Sequence, residues 1–162
     1  MVACLMSAAH RGGYNPRVLL HFAYATALVF GTVFIHAGCT AAVLGWLHSI
    51  AAHHWALRSY WARAAVVGAL VFLMSLASFL ESALWAGFYA MVGALPTFEE
   101  ALYFSLVTFT TLGYGDVVLH EQWRMLGAFQ AANGILIFGW TTALIVNVAQ
   151  RVYPHRDAHG DG

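Results

Sequence analysis

Ala101-Leu102-Tyr103-Phe104-Ser105-Leu106-Val107-Thr108-Phe109-Thr110-Thr111-Leu112-Gly113-Tyr114-Gly115 is a largely apolar run of 15 residues without a charge. A helix needs about 20 apolar residues to cross a bilayer. This run is therefore too short to cross, yet too hydrophobic for a loop in water, and it reads as a re-entrant segment. Before it stands Pro96-Thr97-Phe98-Glu99-Glu100, where Thr97 can cap a helix and the two acids suit the positive end of its dipole. At the far end Gly113 and Gly115 let the backbone leave helical geometry. Non-helical backbone at membrane depth persists only if it is buried in protein or lines a water-filled path. The sequence thus demands a pore or a cavity here.

The flanks agree with that reading. Val18 to Leu57 contains no Asp, Glu, Lys or Arg, Ala64 to Met91 is interrupted only by Glu81, and Met125 to Gln150 is uncharged. Three spans result. The first is too long for the ~7–15-residue apolar core of a signal peptide. Over the 162 residues, 61% are hydrophobic and 9% charged, with a net charge of zero. So few charges cannot cover a soluble surface, and the zero balance excludes a nucleic-acid binder that works by phosphate neutralisation. Cys4 and Cys39 form neither a disulfide framework nor a metal set.

Arginine placement sets the orientation. Arg58 and Arg63 separate the first two spans, and Arg151 and Arg156 follow the third. The C-terminus is therefore expected inside and the N-terminus outside, although Arg11 and Arg17 oppose the latter. The expected layout is a tail over 1–17, an additional helix and cytoplasmic connector over 18–63, a pore domain over 64–151 and a tail over 152–162. Within the pore domain the expected parts are an outer helix 64–91, a pore helix 97–109, the 111–115 segment and an inner helix 123–150.

Thr108-Phe109-Thr110-Thr111-Leu112-Gly113-Tyr114-Gly115-Asp116 resembles the potassium-channel signature TMTTVGYGD, differing only at Phe109 and Leu112. The resemblance spans roughly Ala64 to Arg151 and is to the small bacterial pore-only potassium channels, with one helix added at the N-terminus. It implies an all-α integral membrane protein: three transmembrane helices, a re-entrant pore helix and a selectivity-filter loop, assembled as a four-fold homotetramer in the bacterial inner membrane. It also implies that carbonyls of Thr111, Leu112, Gly113 and Tyr114, with the Thr111 hydroxyl, hold K+ in a filter that Gly115 completes. No cofactor beyond the permeant ion is expected, and the partners are other copies of the chain and lipid.

Tyr103, Thr110 and Asp116 are expected to support the filter, and Glu81, which the family signature does not explain, either braces the pore helix from behind or has a gating or proton-sensing role. Val107 stands where some relatives place a Glu that engages the Asp after the filter, so Asp116 is expected to find Tyr103 or a neighbour's Arg124. Gly134 is the expected hinge of the inner helix, and Phe138, Thr142 and Val146 fall on one stripe facing the axis. Trp140 is expected on the lipid or intersubunit face. Glu81, counted at ~1.5 Å per residue from Arg63, sits near the outer boundary one turn below Trp85. Its candidate donors are His21, Tyr103 and N–H groups at the start of the pore helix.

Other classes fit less well. Gly113-Tyr114-Gly115-Asp116 matches the GxGD of intramembrane aspartyl proteases, but the remaining aspartates, Asp157 and Asp161, are both in the tail. Nine histidines prompt a haem subunit, yet only His21 and His36 lie inside a span, on one helix. A non-conducting or regulatory pore-loop subunit is the remaining alternative. No arginine recurs at every third position, so no voltage sensor is expected. The 11 residues after Arg151 are too few for a cytoplasmic ligand-binding domain. His48, His53 and His54, with His155 and His159, form either a bland interface or a proton sensor.

Overall fold

The computed structural model describes residues 16–51 and 59–153. Four α-helices account for nearly all of them: α1 (Pro16–Ala51), α2 (Tyr60–Met91), α3 (Phe98–Phe109) and α4 (Arg124–Val152), the last entered through a single 3-10 turn at Glu121–Trp123. Three of these are long and apolar enough to cross a membrane. The fourth, α3, has 12 residues and a length of about 18 Å, and so it is not. His53, His54, His155, His159 and Cys4 lie outside the described residues.

The long helices are apolar on all sides, as helices in lipid are. Phe34, Phe72 and Leu136 are largely exposed. Burial is concentrated in two places. Trp85, Tyr89, Ala101 and Leu126 pack α2, α3 and α4 together at the re-entrant end. Leu70 and Met74 of α2 pack with Leu144 and Val148 of α4 at the opposite end, together with Val43 of α1.

Turn chemistry fixes the re-entry. At the end of α2, Gly93 takes φ 66° while its N–H donates to the Ala90 carbonyl and that of Ala94 to Tyr89. This is the Schellman arrangement with glycine in the left-handed position. Thr97 then caps α3 by accepting from the Glu100 N–H at 3.2 Å, the role read for it from sequence.

Polar side chains tie α1 to the rest inside the spans. Asn133 Nδ2 donates to Thr32 Oγ1 at 2.7 Å. His36, fully buried, places Nδ1 3.0 Å from Glu81 Oε1 and Nε2 3.3 Å from Thr141 Oγ1. This corrects the expectation for Glu81. Its partner is His36, whereas His21 stacks on Trp123 at 5.1 Å and Tyr103 faces Asp116. Glu81 lies ten residues, or about 15 Å, from the Met91 end of α2. His21 and His36 share α1, so the helix that supplies the donor is an expected one and only the residue differs.

Removing one member of a buried polar pair leaves the other without its partner among apolar helices, which is costly. His36→Leu should therefore destabilise the protein by about 3–5 kcal/mol, because it strands Glu81. Glu81→Gln should cost less, since an amide oxygen still accepts from His36. The double variant His36→Leu, Glu81→Leu should recover much of the loss. Thermal unfolding of the three variants checks this, and a double variant worse than His36→Leu would contradict it.

Candidate functional site

The site begins where α3 ends. Thr111 donates its N–H to the Thr108 carbonyl at 3.0 Å and Leu112 donates to Val107 at 2.9 Å. That is again the Schellman pattern, but the left-handed residue is Thr111, at φ 60°. A β-branched residue there is an outlier costing roughly 1–2 kcal/mol. Strain of this kind survives where the surroundings enforce it, most often at functional sites. Gly113 also donates to Val107, at 3.2 Å, so the carbonyl of Val107 anchors two consecutive loop amides.

Beyond Thr111 the left-handed conformation returns at every second residue. Gly113 has φ 56° and Gly115 φ 79°, while Leu112 and Tyr114 keep negative φ. Alternation of hand along a strand directs its carbonyls towards one side and its N–H groups towards the other. Leu112 and Tyr114 are 55% and 69% exposed, so nothing among the described residues covers them.

Asp116 follows and is fastened back to α3, because Tyr103 OH donates to its Oδ2 at 2.6 Å. Arg124 instead approaches Glu121 of its own chain at 3.9 Å. The Tyr103 hydrogen bond holds the Asp116 carboxyl below its ordinary range. A depressed carboxyl contributes stability that is present above the unfolded value, ~3.9, and is lost as pH falls through the lower folded value. The stability difference between wild type and Tyr103→Phe should therefore be constant near neutral pH and shrink below about pH 4. Thermal unfolding from pH 7 to pH 3 measures it, and a difference that grows on acidification would contradict the link.

Behind the loop a second polar chain joins three helices. Tyr89 OH donates to Gln130 Oε1 at 2.9 Å, Gln130 Nε2 to Ser105 Oγ at 2.6 Å, and Ser105 Oγ to the Ser82 carbonyl at 2.5 Å. Gln130 and Ser105 are fully buried. Sequence reasoning passed over Gln130 and Asn133, although two amides three residues apart in an uncharged span signal interhelical hydrogen bonds. Thr110 bonds only back to α3, its hydroxyl donating to the Leu106 carbonyl at 2.7 Å.

On α4, Gly134 meets the last residue of α3 so closely that a Cβ built on it would overlap the Phe109 carbonyl. One turn on, the ring of Phe138 lies 5.8 Å from that of Phe109, edge to face. Thr142 and Val146 continue the stripe and are exposed. Trp140, also partly exposed, lies on another side and packs its edge on His36 at 5.2 Å.

A family model described as an ion channel matches residues 66–151, more than half of the chain. The chain belongs to that ion-channel family. With three helices able to cross a membrane, it is an integral membrane protein. Among curated proteins and among solved structures, no significant match to the chain is found. The matched region takes in α3, the 111–116 loop and nearly all of α2 and α4 of the channel. Helix α1 lies outside it, so the bonds from Thr32 and His36 run between the channel domain and a helix the family model does not cover.

Proposed function

We propose that four copies of this channel form a pore that conducts K+ and rejects Na+. The alternation of backbone hand from Thr111 to Gly115 carries the reading. Four such strands around an axis would present rings of oxygen from Thr111, Leu112, Gly113 and Tyr114 in place of an ion's water shell. One chain supplies one strand, and the uncovered Leu112 and Tyr114 are the surfaces that neighbouring copies would bury. Thr110, Tyr103 and Asp116 hold the strand to α3, and the fully buried Glu81 braces α2 behind it. Phe138, Thr142 and Val146 line the path below it, and Gly134 is where α4 bends. The positions of Arg63 and Arg151 support a cytoplasmic location for the opposite end, and so for the C-terminus, in the inner membrane of a bacterial cell.

Reconstitution of the full chain in a planar bilayer under opposed K+ and Na+ gradients tests this. The reversal potential should follow the K+ gradient, and crosslinking in lipid should proceed to tetramers. A potential that follows Na+, or crosslinking that stops at dimers, would overturn the reading.

A further inference from the structure

Near the ends that carry His48 and Arg151, α1 and α4 line a cavity of about 690 Å³. Leu44 and Leu47 form its α1 wall and Trp140 and Ala143 part of its α4 wall, with His48, Asn147 and Arg151 lining it as well. From Trp140 to Arg151 the groove runs eleven residues, about 16 Å, which is one leaflet of a ~30 Å core. Its walls are apolar from Trp140 to Leu47 except for the hydroxyl of Thr40, and cationic or polar at His48, Asn147 and Arg151. Among the described residues no carboxylate pairs with Arg151.

The helical steps also decide which way the groove faces. Trp140, Ala143, Asn147 and Arg151 follow at intervals of three or four residues, centred roughly 145° around α4 from Phe138, Thr142 and Val146. If those three face the pore axis, as the proposed function has it, the groove opens away from the axis towards lipid.

We propose that this groove binds one anionic phospholipid per protomer, with the phosphodiester on Arg151 and His48 and an acyl chain along Leu44, Leu47 and Ala143. Basic pockets between transmembrane helices at the cytoplasmic face suit such headgroups, and a single arginine near the surface contributes about fivefold in affinity.

The test is native mass spectrometry of the full chain in detergent, with phosphatidylglycerol or phosphatidylcholine of identical acyl chains. Wild type should retain phosphatidylglycerol several-fold better. Arg151→Gln should bring the two lipids to parity, His48→Gln should reduce the preference partly, and Ala143→Trp, which fills the groove, should reduce retention of both. Glycerol phosphate in excess should not compete, since it lacks the acyl chain. Equal retention of the two lipids by wild type, a preference unchanged in Arg151→Gln, or displacement by glycerol phosphate alone would overturn the proposal. So would Ala143→Trp dissociating the assembly, which would make this face a contact between copies. Lipid retention is read without current. A K+-selective pore with no lipid preference defeats the lipid site alone, and a retained preference without K+ current defeats the functional reading alone.

Discussion

Gly113→Ala is expected to abolish potassium current while leaving the tetramer assembled. A Cβ built at Gly113 meets no atom within 4 Å, so nothing in the protomer excludes an alanine by contact. The whole effect falls on the backbone, held at φ 56°. An L-residue there costs roughly 1–2 kcal/mol, and four copies around one pore would accumulate about 4–8 kcal/mol. That is enough to turn the segment to another conformation, while the helices that would make the subunit contacts of the proposed tetramer are untouched. Single-channel recording together with crosslinking in lipid reads both halves. Normal potassium current in this variant would show that the 111–115 strand is not the conduction element.

Gly134→Ala should have the opposite signature, acting on stability first. Its added Cβ collides with the main-chain carbonyl of Phe109, which has no rotamer by which to retreat. Either α4 or the end of α3 must shift, and overpacking of this kind costs about 1–3 kcal/mol or more. Phe109 is followed directly by Thr110 and Thr111, so the displacement passes into the strained turn. The expected result is a lower unfolding temperature and impaired current together. Gly139→Ala, where a Cβ meets nothing within 4 Å, is the control and should leave stability unchanged. If Gly134→Ala kept wild-type stability and altered only opening, bending of α4 would be the main use of that glycine and close packing a minor one.

The parts of the fold legible from sequence are those governed by local chemistry. An uncharged run long enough to span, a threonine before two acids, and glycines where the chain must turn are each readable within one segment, and α1 to α4 follow from them. Partnerships between segments were less legible. Glu81 was recognisable as a buried acid needing a donor, but four helices offered several, and only packing selects His36 over His21. Tyr103 was the exception, because the turn at Thr111 brings Asp116 back over its own helix. The left-handed conformation of Thr111 had no sequence signal, since threonine is a residue that ordinarily avoids it.

The bond between Thr32 and Asn133 links residues 101 positions apart. Chains emerge from the ribosome at about 5–20 residues per second, so Thr32 precedes its partner by roughly 5–20 s. During that interval α1 enters the membrane with His36 awaiting first Glu81 and later Thr141. The newborn helix must shelter its polar atoms at the insertion machinery or among water and headgroups until α4 arrives. Assembly order is thus written into the chain: α1 can dock provisionally on α2 once Glu81 has emerged, but its final seat exists only after the inner helix has been made.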